Sequence, residues 1–228
     1  MQKYRKVVII SGTSSGIGKY LASKLSKKYT VVGFSRGKKT IKDKNYYHHV
    51  LDINNFKKTN KFIDKIFLKF KKIDVLINNA ATNISHGNFY FATKDLVEKT
   101  INTNLTSTIL FTNMVIKKMI SKRSGNIINI GSGVVGLLPK GDSVYAASKA
   151  GLEVFSKILS KELKEFNISS NLIAPFIVET PMIKQINKDK INTILKNNNK
   201  NKNKLVDILT IVENIMRSNR INGKNFYL

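Results

Sequence analysis

Residues 6–25 read KVVIISGTSSGIGKYLASKL. Val7 to Ile10 form an unbroken apolar run, the pattern of a short strand buried on both faces. Glycines follow at 12, 16 and 18. Apolar residues then return at helical spacing, at Ile17, Leu21 and Leu25. A strand that turns through glycines into a helix predicts a phosphate-binding corner. The glycines let the backbone turn sharply and come close to a ligand, and the helix start offers free N–H groups to a pyrophosphate. The spacing G-x3-G-x-G departs from the G-x-G-x-x-G fingerprint, so by itself this corner also fits a turn with no ligand.

Working outward, the same strand-then-helix alternation fills the chain. TVVGF (30–34), YYHHVLDI (46–53), IDVLINNA (73–80), GNIINIGS (125–132), ISSNLIAP (168–175) and KNFYL (224–228) read as further strands. Helices are expected over 17–28, 55–71, 94–122, 143–166 and 205–216. Most of the strands are apolar throughout rather than alternating, which calls for a parallel sheet covered on both sides. The expected fold is α/β: one doubly wound parallel sheet of about seven strands, with helices on both faces, in a single domain spanning 1–228. No repeat is visible. A Lys/Asn-rich stretch at about 179–204 is expected to form a lid over the substrate.

Composition narrows the setting. The 228 residues contain no cysteine, so no disulfide or thiolate metal site is expected, and no metal is assigned. The apolar run at the start is too short for a signal peptide, and no apolar run is long enough to span a membrane. The expectation is a soluble cytoplasmic protein. Lys and Arg number 40 against 14 Asp and Glu, a formal charge of +26. Such a balance raises the question of nucleic acid. Only five of these cations are arginines, at 5, 36, 123, 217 and 220, and Asn and Ile are abundant too. Lys, Asn and Ile share A/T-rich codons, so compositional drift accounts for the charge. Arginine forks with interleaved aromatics, which phosphate and base recognition favours, are missing. No nucleic-acid partner is expected.

The end of the second strand refines the ligand. It reads GFSRGKK, with Ser35 and Arg36 and no acid. An acid there would bind the ribose of NAD, whereas a hydroxyl and a cation suit the 2′-phosphate of NADP. NADP(H) is therefore expected over NAD(H).

The chemistry lies in SVYAASKAG, where Tyr145 and Lys149 stand four apart on one helix face with small residues between them. A tyrosine titrates near ~10, and a neighbouring ammonium favours its phenolate, so the pair makes a tunable acid/base. Ser132 ends the fifth strand, where the ligand crevice of such a sheet lies, and can converge with Tyr145 on one carbonyl oxygen. Asn104 falls mid-helix in NTNL, where Asn is a poor helix former and, if buried, needs a partner.

SGTSSGIG, LDI (51–53), NNAA (78–81), NTNL, IGSG, YAASK and IAPFIVET occur in one order along the chain. Together they resemble the short-chain dehydrogenase/reductase family, over Val7 to Leu228, and in particular its 3-oxoacyl-acyl-carrier-protein reductase-like members. The resemblance implies a Rossmann-like fold and an NAD(P)(H)-dependent oxidoreductase acting on a carbonyl/alcohol pair. It implies a catalytic set of Asn104, Ser132, Tyr145 and Lys149. Tyr145 would be the acid/base, Lys149 would lower its pKa and bind the nicotinamide ribose, Ser132 would orient the carbonyl, and Asn104 would hold a relay water. For the cofactor it implies Gly12, Ser14, Ser15, Gly16, Ile17 and Gly18 in the turn, with Ser35 and Arg36 beyond the second strand. Asp52 and Ile53 would flank the adenine, Asn79 and Ala80 would lie along the cofactor, and Pro175, Val178 and Thr180 would border the nicotinamide. The substrate would be a small carbonyl or alcohol, carrier-linked or sugar-derived, and the assembly a homodimer or tetramer. The chain departs from the family at Pro175-Phe176, where Pro-Gly is usual, and at its end, FYL, where an Asp-Gly-Gly tail is usual. A scaffold or sensor that binds nucleotide without catalysis is the rival reading, and the intact Asn104, Ser132, Tyr145 and Lys149 set argues against it.

Overall fold

The computed structural model describes residues 5–83, 87–183, 195–196, 202–218 and 220–228. Its seven strands are β1 Val7–Ser11, β2 Thr30–Ser35, β3 Tyr46–Val50, β4 Val75–Asn78, β5 Gly125–Ile130, β6 Ile168–Ala174 and β7 Asn225–Tyr227. All pair in parallel in one sheet, in the order β3-β2-β1-β4-β5-β6-β7. The chain winds outward from β1 to β3, then crosses back to place β4 on the other side of β1. A crevice opens at that switch point, beyond the carboxyl ends of β1 and β4.

Alternation along β1 divides the core. Val7 and Ile9 face a layer that includes Phe62, Ile63 and Ile66 of α2 (Phe56–Phe70) and Phe111, Val115 and Met119 of the helix Ser107–Ile120. Val8 and Ile10 face Leu21, Ala22 and Leu25 of α1 (Gly16–Leu25) and Ile208, Val212 and Ile215 of the helix Leu205–Arg217. All four β1 side chains are at most 3% exposed, and each such burial contributes roughly 1.5–3 kcal/mol. The expected double cover is thus present, as are the seven strands.

Boundaries follow local chemistry. Asn55 caps α2 by accepting from the Lys58 N–H at 3.0 Å, and Lys71 ends it in the left-handed region at φ 61°. The single helix expected over 94–122 is instead α3 (Lys94–Ile101), a π-helical segment Asn102–Thr106 and α4 (Ser107–Ile120). The widened turn carries Asn104, whose buried amide bonds outside the helix. A short α5 (Val134–Leu137), with no counterpart in the sequence reading, precedes α6 (Ser143–Glu162). A 3₁₀ turn Lys164–Phe166 and left-handed Asn167 at φ 55° then lead into β6. Leu205–Arg217 is α7. Among the described residues no helix is long and apolar enough to cross a membrane. Within the expected lid, 184–194 and 197–201 lie outside the described residues.

Candidate active site

The glycine corner is built around two positive-φ glycines, Gly12 at 75° and Gly16 at 54°. Asn79 holds it from below. The Asn79 side chain donates to the Ser11 carbonyl at 2.9 Å and the Gly12 carbonyl at 3.1 Å, while the N–H groups of Asn79 and Ala80 both donate to Ser11 Oγ at 2.9 Å. The Ser11 hydroxyl thus ties β1 to the end of β4. Ser15 precedes α1 but makes no side-chain cap, and the first turn holds no acid. That leaves the helix start open to an anion. Gly18 has a different place from Gly12 and Gly16. A Cβ on it would lie 2.3 Å from the Gly12 carbonyl oxygen, so it lets α1 press onto the turn and lies outside the cleft lining.

The corner forms one end of a cleft of about 500 Å³. Ser14, Ser15, Gly16 and Ile17 line this end. Ser35 at the end of β2 and Arg36 just after it follow, with Asp52 and Ile53 from the loop after β3. Asn79 and Ala80 line its middle, and Ser132, Tyr145 and Lys149 the far side, beside Pro175, Val178 and Thr180. The expected residues therefore converge on one cleft except for Gly18 and Asn104, which lie behind its wall.

Tyr145 and Lys149 sit on α6, 9% and 3% exposed. The Lys149 ammonium donates to the Ile130 carbonyl at 2.8 Å, at the end of β5, and lies 5.8 Å from the centre of the Tyr145 ring. Burial pulls Lys149 down to about 8. Burial also pushes the Tyr145 phenol up to about 12; a hydrogen bond with Ser132 works against this and the charge of Asp142 works with it. The sequence reading has the phenol lowered by Lys149. In the folded protein desolvation sets the direction instead, because the phenol is taken out of water. A phenol in this state keeps its proton at neutral pH, as a proton donor must.

Asn104 is 1% exposed. Its Oδ1 accepts from the Thr82 N–H at 2.8 Å, and its Nδ2 donates to the Thr82 carbonyl at 2.9 Å and to Ser148 Oγ at 3.0 Å. Ser148 in turn donates to the Tyr145 carbonyl at 2.7 Å. The amide therefore clamps the cleft wall at Thr82 to the first turns of α6. Phe176, in place of the family's glycine, lines the cleft and packs over Gly133, and its N–H donates to Asn203 Oδ1 at 2.6 Å. Its φ is not positive, so nothing in the backbone demands glycine there. Asp142, Thr82 and Ser148 were not singled out in the sequence. Only the contacts just described mark them, apart from the place of Ser148 inside YAASK.

With this geometry in hand, a family model described as short chain dehydrogenase matches residues 6–191. The chain belongs to the short-chain dehydrogenase family. The 3-oxoacyl-[acyl-carrier-protein] reductase FabG of Buchnera aphidicola subsp. Schizaphis graminum is 35% identical over 194 residues, covering 82% of this chain and 79% of the relative. Its namesake from Escherichia coli K12 is 34% identical over 199 residues, covering 83% and 80%. Among solved structures, ElxO with NADP bound superposes with a TM-score of 0.88 at 26% identity, over 98% of this chain and 97% of ElxO. The aldohexose dehydrogenase of Thermoplasma acidophilum, at 23% identity and a TM-score of 0.87 over 98% and 92%, shares the fold. This short-chain dehydrogenase is an NAD(P)-dependent oxidoreductase that interconverts a carbonyl and an alcohol. The residues present fit such a cofactor: an acid-free helix start behind positive-φ glycines, with Arg36 lining the same cleft.

Proposed function

We propose that this enzyme uses NADPH to reduce a 3-oxoacyl thioester, with Tyr145 giving the proton. What carries this reading is that Ser132, Tyr145 and Lys149 line the same cleft as the glycine corner and Arg36. Bound nicotinamide supplies the hydride. The N–H groups at the start of α1, with Ser14, Ser15, Gly16 and Ile17, hold the pyrophosphate, and Ser35 and Arg36 hold the 2′-phosphate. Asp52 and Ile53 flank the adenine. Pro175, Val178 and Thr180 border the nicotinamide.

Ser132 and Tyr145 donate to the substrate carbonyl oxygen, steadying the charge that develops there. Tyr145 then gives up its proton. Lys149, charged below about 8, stands one helical turn away and favours the phenolate as it forms. Because the Asn104 amide is spent on Thr82 and Ser148, the group left to hold a relay water is its main-chain carbonyl in the π segment.

The thioester substrate rests on the two reductases above, whose names specify 3-oxoacyl groups on acyl carrier protein. We infer a homodimer through α4 and α6, whose Leu110, Val154 and Ile158 are 42–59% exposed. The reading is tested by titrating the protein with NADPH and NADH, then following NADPH consumption with a 3-oxoacyl thioester beside a Tyr145→Phe variant. The variant should bind NADPH within about twofold and lose about 10²–10⁴-fold in kcat. A variant that retains full rate, or a protein that binds neither cofactor, refutes the proposal.

A further inference from the structure

Behind the cofactor end of the cleft runs a hydrogen-bonded chain that takes no part in the scheme above. On β3, Tyr46 and His48 are two apart and share a face. The Tyr46 hydroxyl is 2.8 Å from Thr13 Oγ1, inside the glycine corner, and 2.9 Å from His48 Nδ1. His48 Nε2 is 2.8 Å from the Gly37 carbonyl, in the loop after β2. That carbonyl can only accept, so Nε2 carries a proton and donates to it. Ser35 Oγ donates to the same carbonyl at 3.1 Å. Gly37 and Thr13 thus sit at the two ends of one continuous chain, and the residue just before Gly37 is Arg36.

The surrounding sequence makes room for the chain. Gly33 of β2 lies beside the phenol, and a Cβ there would stand 2.5 Å from the Tyr46 hydroxyl and 2.7 Å from Thr13 Oγ1. A Cβ on Gly37 would meet the Ser14 side chain at 3.1 Å, so the two loops already touch. Tyr46 and Thr13 are 3% and 1% exposed. Gly12, Ser14, Ser35, Arg36 and Gly37 line the cleft, while Thr13, Tyr46 and His48 do not.

We propose that Tyr46 and His48 are positioning residues for cofactor choice, fixing the Arg36 loop against the glycine corner so that one ligand's pyrophosphate and 2′-phosphate are gripped together. The inference rests on the assignment of Arg36 to a 2′-phosphate and goes beyond it, since it says what holds Arg36 in place. A ligand without the 2′-phosphate needs only the corner and should be insensitive to the loop's position.

The test measures dissociation constants for NADPH and NADH by fluorescence, with thermal midpoints alongside, for the full chain and four variants. His48→Leu cuts the link to Gly37. It should weaken NADPH about threefold to tenfold, the worth of one hydrogen bond, and NADH by less than about twofold. His48→Gln, whose amide can still donate to the Gly37 carbonyl, should recover most of the loss. Tyr46→Phe keeps the ring and removes the bridge to Thr13, so it should shift the NADPH/NADH ratio the same way and serves if His48→Leu does not fold. Arg36→Ala is the control on the underlying assignment. If Arg36→Ala removes the NADPH preference while the His48 and Tyr46 variants leave the ratio unchanged, the positioning role is wrong and the assignment stands. If Arg36→Ala leaves the ratio unchanged, both are wrong. Equal weakening of both cofactors without rescue by glutamine marks mere support of the fold and overturns the proposal.

Discussion

Lys149 is 3% exposed, with its ammonium on the Ile130 carbonyl, and burial brings it from 10.5 to about 8. Folding therefore disfavours its charged form. The unfolded chain holds this proton up to 10.5 and the folded chain only up to about 8. Between the two the unfolded state binds more protons, so stability rises with pH in that window. Below it the full penalty applies, about 3 kcal/mol at ~1.36 kcal/mol per unit. By pH ~9.5 only about 1 kcal/mol of it remains. Lys149→Met keeps a long side chain and removes the titration. The wild type should therefore gain about 2 kcal/mol on Lys149→Met between pH ~7 and ~9.5. Urea unfolding of both proteins at both pH values measures this; the other lysines cancel in the difference, which reports the proton held by the Tyr145–Lys149 pair. A difference constant to within about 0.5 kcal/mol, or a wild type that loses ground as pH rises, would refute the argument that this lysine is held out of water.

Gly18→Ala puts a methyl 2.3 Å from the Gly12 carbonyl oxygen and 2.4 Å from Asn79 Nδ2. It should cost about 1–3 kcal/mol by chemical denaturation and weaken cofactor binding with it. Asn104→Ala leaves both main-chain groups of Thr82 and the Ser148 hydroxyl short of a partner; a loss of about 1–3 kcal/mol is expected, with kcat reduced because the cleft wall loosens. Steady-state rates against pH test the coupled pair. Reduction needs both the phenol and the ammonium protonated, so its rate should be flat up to about 8 and then fall as Lys149 discharges. Oxidation needs the phenolate beside the ammonium, one proton fewer, so its kcat/KM should rise about tenfold per unit up to about 8 and then level off.

The fold was legible because its signals are local and agree with one another. VVII marks β1 as buried on both faces, and in the structure its side chains feed two cores. The glycines at 12 and 16 mark the corner and do carry positive φ. The break in the helix at 102–106 was not legible, because a π turn has no sequence period of its own. Asn104 leaves the regular ladder to reach Thr82, a partner 22 residues away that only the tertiary structure supplies. Gly18 was grouped with Gly12 and Gly16 as a ligand contact. In the structure a Cβ on it would meet the Gly12 carbonyl oxygen, a contact between helix and turn that spacing alone does not distinguish from approach to a phosphate. Tyr46 and His48 stayed hidden for a similar reason: YYHHV reads only as a strand until β2 and the corner are placed beside it.

The Tyr145–Lys149 pair shows why adjacency in sequence gives the partners of a site but not the sign of their effect. Spacing of four places an ammonium near a phenol, and in water that contact would lower the phenol. Here both groups are buried, and desolvation disfavours each charge alone, raising Tyr145 and lowering Lys149. The two shifts oppose separate ionisation but not joint ionisation. A phenolate beside an ammonium is a dipole, which a dry site tolerates far better than either ion by itself. Proton loss from the pair is therefore shared between two microstates, and its apparent pKa belongs to the pair rather than to either residue. Moving one proton from Tyr145 to a substrate oxygen while Lys149 stays charged passes from one isolated charge to that dipole. The same burial that raises the resting phenol thus favours its giving up a proton once Lys149 is charged, which ties the enzyme's acid/base chemistry to the protonation of Lys149.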